Sequence, residues 1–408
     1  MISGLHKMSL SKLDGIRGIA AVIVIFSHAL FWYYPAMHLG LRTKGRPLDG
    51  IEWFDSPFSF FYRGGFSVSM FFILSGLVLT YSISRHADVL GSIRKASIKR
   101  YIRLGVPVAA SVLIGCALMK LGVYEAPDVS PPPVLSTPYL FNATWDGAIR
   151  DATYGALALG DSRYNYVLWT IQIELIGSFA IFATYALFGG NPFVYRIFCI
   201  AAFLTLSAST NKTAMYTSLF FLGSMLITFR FSEEKTSGMR TATCLIGLLV
   251  GLYLAGFHSA SASYALLSDI TRSLSNVTGY QPSWLLIMPA FGGLIILLSV
   301  LYSQRTFAVL DCTPMKWLGK LSFSLYLLHT FILVIVAQFF TKHFGMNFSA
   351  MILTLSTTIA LTLIASYFFH LKIDLPAITL ENKLSSLLLH SKSKSLKKEA
   401  DQQHPSQA

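Results

Sequence analysis

Leu13-Asp-Gly-Ile-Arg17-Gly-Ile-Ala-Ala-Val-Ile-Val-Ile-Phe-Ser-His28 is a membrane-length apolar run that carries an acid, an arginine and a histidine. A charged side chain at bilayer depth costs about 2.5–3.5 kcal/mol on insertion scales, so such residues face a protein or water-filled interior and mark functional positions. At about 100° and 1.5 Å per residue, Arg17 and His28 fall about 20° apart around a helix and about 16 Å apart along it. Asp14 lies within about 40° of His28, so the three share one stripe.

The rest of the chain has the same character. Of 408 residues, 54% are hydrophobic and 12% charged, with a mean hydropathy of +0.58, against about 25% charged residues in soluble domains. This composition defines an all-α integral membrane protein. The net charge of +13 resides between apolar runs and in the C-terminal tail, not in an aromatic-interleaved basic face, which excludes a nucleic-acid partner. Cys116, Cys199, Cys244 and Cys312 have no spacing that clasps a metal or frames a disulfide set, so neither a metal site nor a disulfide framework is indicated; no permanently bound cofactor is expected. The first run is too long and too charged for a signal peptide and lacks a small-residue cleavage site, so it reads as a retained span.

Apolar stretches near 13–34, 65–83, 101–121, 167–189, 193–210, 214–230, 240–257, 283–303, 318–340 and 348–371 give about ten spans. Most Lys and Arg residues, including Arg94, Lys95, Lys99, Arg100 and Arg103, fall on one side if both termini are cytoplasmic. In that orientation the glycosylation acceptors Asn142, Asn211, Asn276 and Asn347 are all external. The segmentation is a cytoplasmic N-terminus (1–12), a transmembrane domain (13–380) and a Ser- and Lys-rich disordered tail (381–408) able to meet anionic lipid. External segments 35–64, 122–166 and 258–282, the second broken by Pro131-Pro-Pro133, are long enough to cover an outward opening. The protein is expected in an endomembrane or plasma membrane if eukaryotic; oligomeric state is not encoded.

Several side chains suit chemistry, each with a plainer alternative. His28, about 9 Å below the outer end of its span, can act as a general base or accept an acyl group, or simply bond a neighbouring helix. Arg17 and Asp14 sit at the inner end, where arginine also serves as a snorkelling anchor. Glu174, in Trp169-Thr-Ile-Gln-Ile-Glu174, is expected at a depth similar to His28, where a carboxylate needs a partner and can orient a histidine. Trp169 suits an interfacial belt. Ser322, Tyr326 and His329 make a polar stripe within about 60°, equally suited to helix glue and to a site, with Lys320 pointing elsewhere. Arg100 and Arg103, at i, i+3, present paired forks that suit phosphate, although positive-inside bias places basic residues there regardless. Ser75 and Gly76, among small residues and phenylalanines, read as packing positions.

Together these segments resemble the acyltransferase-3 family of multi-span membrane O-acyltransferases. Leu13-Asp-Gly-Ile-Arg17 with His28, Phe71-Phe-Ile-Leu-Ser-Gly76, Arg100-Tyr-Ile-Arg103 with Pro107, Trp169 with Glu174, and Leu318-Gly-Lys-Leu-Ser-Phe-Ser-Leu-Tyr-Leu-Leu-His329 follow the family's order over about 11–330, with a weaker echo at Ile373-Asp-Leu-Pro376. Phe323 stands where many members have tyrosine, and the long external loops look like those of fungal members. The resemblance implies a ten-helix core and an acyl-coenzyme A or similar donor acylating a hydroxyl of a carbohydrate, lipid or natural product. It implies donor binding by Arg17, Arg100 and Arg103, catalysis by His28 with Glu174 and Asp14, and support from Trp169, Ser75, Tyr326 and His329. A ten-helix transporter of a small anionic or acylated metabolite is the alternative, but paired inverted repeats and broken midplane helices are not evident.

Overall fold

The computed structural model describes residues 10–40, 50–125, 139–229, 231, 237–303 and 305–388. Ten helices follow the ten apolar runs: α1 (Leu10–Tyr33), α2 (Gly64–Ser84), α3 (Val89–Lys120), α4 (Trp169–Phe188), α5 (Pro192–Ser207), α6 (Lys212–Ser224), α7 (Gly238–Ala255), α8 (Trp284–Tyr302), α9 (Thr313–Phe344) and α10 (Phe348–Phe369). Among the described residues there is no strand. Eight of the helices are long and apolar enough to cross a bilayer; the other two, α5 and α6, have 16 and 13 residues. At about 1.5 Å per residue these rise only about 24 and 20 Å, short of the roughly 30 Å hydrocarbon core.

Local chemistry sets several ends. The Asp88 side chain accepts the Gly91 N–H (2.8 Å), which starts α3 twelve residues before the expected boundary at 101 and makes Arg100 and Arg103 interior helical positions. Asn191 caps α5 with Pro192 at its first position, and Asn211 caps α6 by accepting the Ala214 N–H at 3.0 Å. Helix α10 continues through a π-type stretch, His370–Asp374, into a helical extension ending at Leu388. The first eight residues assigned to a tail are therefore helical, and the remainder lies outside the described residues.

Helices α1 and α9 pack on each other more extensively than any other pair, and they run parallel because Gly18 meets Gly319 and, ten residues on in each helix, His28 meets His329. Glycine makes this possible: a Cβ at Gly319 would overlap the Asp14 carbonyl. Parallel packing of the first and ninth helices requires an even number of crossings between their starts, a condition met whether α5 and α6 both cross or neither does. A second glycine crossing joins α2 to α6, where Gly76 faces the Phe220 carbonyl and Gly223 faces that of Ile73. Gly76 is thus the packing position its sequence suggested.

One end of the bundle gathers the C-termini of α1, α3 and α9 through Trp32 Nε1 donating to Thr341 Oγ1 (3.1 Å) and the Lys342–Glu125 pair (3.2 Å). Asn142, Asn211, Asn276 and Asn347 are all exposed. Arg17, Arg100 and Arg103 lie toward the opposite end.

Candidate active site

His28 lines a cavity of about 140 Å³ walled by Ser27, Gly64, Gly65, Tyr166, Trp169, Tyr216 and Tyr326, with Val24, Val68 and Val167 completing it. His329, behind it, is fully buried. Nδ1 of His329 lies 2.8 Å from the Tyr326 carbonyl and 3.1 Å from that of Leu325. Carbonyls only accept, so Nδ1 carries the hydrogen. With both rings uncharged, Nε2 of His329 is an acceptor and receives the hydrogen of His28 Nδ1 across 2.9 Å. The lone pair of His28 therefore resides on Nε2. This is the tautomer logic by which a second group orients a catalytic imidazole, with a histidine anchored on backbone carbonyls as the orienting group. Tyr166 meets the His28 ring edge-on at 5.9 Å.

The expected pairing of Glu174 with His28 is corrected. Glu174 Oε1 accepts from Ser75 Oγ at 2.7 Å and pairs with Arg100, whose Nε donates to Ser178 Oγ at 2.8 Å. The reason is depth. Tyr166 and Trp169 already line the His28 cavity, so α4 begins at that level, not at the membrane boundary, and Glu174, five residues on, lies about 8 Å further along. Ser75, assigned to packing, is instead a hydrogen-bond donor to this buried pair.

Arg17, Arg100 and Arg103 each face a carboxylate. Arg17 stands 3.8 Å from Asp14, Arg100 pairs with Glu174, and Arg103 lies 3.9 Å from Glu381. Arg17, Arg100 and Arg103 also interact electrostatically with one another, so the structure gathers the sequence's donor-binding candidates into one cluster. Asp14 belongs to this cluster and not to the His28 cavity.

Tyr326 bonds Thr170 Oγ1 (3.0 Å) and donates to the Val167 carbonyl (3.1 Å), tying α9 to the start of α4 beside the cavity. Trp169, expected in an interfacial belt, lines the cavity and carries Lys212 Nζ 3.4 Å from its ring centroid, a cation–π contact worth about 0.5–2 kcal/mol. Ser322 turns back onto the Gly319 carbonyl (2.7 Å) and serves its own helix. Sequence reasoning missed Tyr166, Tyr216, Ser178 and Glu381. Tyr216, one turn after Lys212, and Ser178, one turn after Glu174, carry a helical-spacing signal; Tyr166 and Glu381 carry none.

Above the cavity, outside the spans, Arg63 precedes α2 and lies over the Phe54 and Tyr62 rings at 5.4 and 5.8 Å, donating to the His38 carbonyl at 3.2 Å. Burial, then the Arg63 charge, push His38 down to about 3 and His258 down to about 4. Both are uncharged at neutral pH, which leaves Arg63 as the cation of this aromatic cluster.

Comparison with known proteins assigns this helical bundle, with His28 lining a small cavity, His329 behind it and a cation cluster at the other end of α1, to the multi-span membrane acyltransferases. The profile of an acyltransferase domain matches residues 10–370, and the chain belongs to the acyltransferase-3 family. It is 22% identical over 401 residues to the acyltransferase clz18 of Cochliobolus lunatus, covering 79% of this chain and 82% of that one. It is 27% identical over 261 residues to the O-acetyltransferase PaAT-1 of Phomopsis amygdali (57% and 51% covered). It is also 30% identical over 173 residues to nodulation protein 10 of Rhizobium leguminosarum bv. viciae (40% and 41%). The chain thus spans most of the first relative and about half or less of the other two. No solved structure matches.

Proposed function

We propose that the protein is an O-acyltransferase that moves acetyl or another short acyl group from acyl-coenzyme A to a hydroxyl of a carbohydrate, lipid or natural product. The observation that carries this reading is the His329–His28 relay, which leaves an uncommitted Nε2 on a cavity-lining histidine. Both termini are cytoplasmic in this reading. The donor's phosphates meet Arg100 and Arg103, its arm follows the α1 stripe past Arg17, and its thioester carbonyl reaches the His28 cavity from the inner side.

The acceptor hydroxyl enters from the outer side. His28 Nε2 takes its proton as the oxygen attacks the thioester carbonyl, and the His28–His329 bond steadies the charge that forms on the ring. The tetrahedral intermediate then collapses, the carbon–sulfur bond breaks, and the thiolate leaves with the proton from His28. Ester and free coenzyme A balance the step. An apolar bundle keeps water from the thioester and strengthens each polar contact. That PaAT-1 is named an O-acetyltransferase favours oxygen as the acceptor atom.

The test is acyl transfer from labelled acetyl-coenzyme A into a panel of hydroxylated sugars, lipids and natural products by membranes containing the protein, with ester products identified by mass. Ester formation dependent on the protein is expected. Passage of the labelled metabolite across sealed vesicles with no covalent product would support the transporter reading instead.

A further inference from the structure

Of the three arginine–carboxylate pairs at the inner end, one joins two residues of a single helix and one is buried and braced by serines. Arg17 and Asp14 sit at i, i+3 on one helix. Arg100 and Glu174 are 13% and 14% exposed and are flanked by Ser178 and Ser75. The third differs. Arg103 is 51% exposed, and its partner Glu381 comes from the helical extension beyond the π-type stretch His370–Asp374. Glu381 is only 5% exposed, yet it approaches Arg103 no closer than 3.9 Å, and its Oε2 has no hydrogen-bond partner among the described residues. A buried carboxylate with one oxygen unbonded is held mainly by the field of its neighbours. Those are Arg103, Lys99 and Arg100, with Asp374 repelling it. Next to it, Lys99 Nζ bonds Asn382 of the same extension.

We propose that Glu381 is the resident counter-ion of the donor site, occupying Arg103 in the donor-free protein and yielding it to an incoming phosphate, so that this residue sets donor affinity. The proposal rests on the reading of Arg100 and Arg103 as the phosphate site. Without a ligand, a cluster of Lys99, Arg100 and Arg103 repels itself, and a carboxylate relieves that repulsion. A phosphate bearing about two charges does so better through bidentate bonds to the Arg103 fork, and it then repels the carboxylate beside it. Glu381 is set apart from the other two carboxylates by its unbonded Oε2 and by its place on the helical extension beyond a π-type stretch, an irregularity frequent at functional sites.

The experiment is a double-mutant cycle on coenzyme A binding by the full-length protein in lipid nanodiscs at one fixed salt concentration, using Glu381→Gln, Arg103→Ala and the pair. Glutamine keeps the shape and removes the charge. Expected are about two- to five-fold tighter binding in Glu381→Gln, the scale of a partly screened charge pair, weaker binding in Arg103→Ala, and loss of the Glu381→Gln gain when Arg103 is absent. Weaker binding in Arg103→Ala with unchanged affinity in Glu381→Gln, or an equal gain in both backgrounds, overturns the exchange and leaves the donor site standing. Unchanged binding in Arg103→Ala overturns the donor site and the exchange with it.

Discussion

His329 holds the tautomer of His28 through one hydrogen bond and is itself held by two backbone carbonyls of its own helix. Replacing it with alanine is expected to lower kcat about 10²- to 10³-fold with little change in donor KM, while His329→Gln, which can still accept from His28 Nδ1, recovers part of the rate. A variant that moved KM and left kcat intact would place His329 in binding instead. Glu174 behaves differently, because its partner is buried with it. Glu174→Gln leaves Arg100 without its counter-charge and is expected to cost about 3–5 kcal/mol of stability, and the double variant Glu174→Gln/Arg100→Met to recover most of it. Thermal unfolding of the two variants in nanodiscs reads this directly. The stripe joining Asp14, Arg17 and His28 was legible in helical periodicity alone. The His28–His329 bond was not, since it spans 301 residues and depends on how two helices pack. Glu174 was misplaced for a related reason: apolar length shows that a segment crosses, but not the depth at which its helix begins.

At the scale of elements, the crossing of α1 and α9 decides whether the site exists. Gly18 and Gly319 let the two backbones touch, and the ten residues that follow carry His28 and His329 into register. Gly319→Ala forces a methyl group into the Asp14 carbonyl and is expected to cost about 1–3 kcal/mol and to reduce turnover out of proportion to the folded fraction. Turnover per folded molecule equal to wild type would show that the register survives the wider crossing. The cluster around Arg63 is an element of another kind. His38 and His258 are held at about 3 and about 4 in the folded protein, whereas in an unfolded chain they titrate near 6.5. Below about pH 6.5 the unfolded state therefore binds protons that the folded state refuses, and stability falls as pH drops from about 6.5 toward 4 for His258 and toward 3 for His38. The unfolding temperature is expected to drop across this window and to drop less in His258→Gln; an identical slope in that variant would separate the histidine from the effect. None of this cluster was apparent in the sequence, where His38 and Arg63 lie 25 residues apart at opposite ends of the 35–64 segment, His258 begins another, and no spacing links them.

For the whole molecule, the sequence disclosed a helical membrane bundle because twenty-residue apolar runs have few other folds available to them. It did not disclose that two of those runs form helices of only 16 and 13 residues, since both stop short at their C-terminal ends, α5 at Ser207 and α6 at Ser224, where a 3-10 turn, Met225–Thr228, takes over. The arrangement separates two chemistries along α1, with a paired cation cluster at one end and an imidazole pair about 16 Å away by helix rise. That separation suits a donor and an acceptor arriving from opposite sides of a membrane. The most direct test of this account is single-turnover acyl transfer from labelled acetyl-coenzyme A by wild-type and His28→Ala protein in nanodiscs at matched folded concentration. The account predicts a fall of about 10³-fold or more with coenzyme A affinity retained; undiminished transfer by His28→Ala would contradict it.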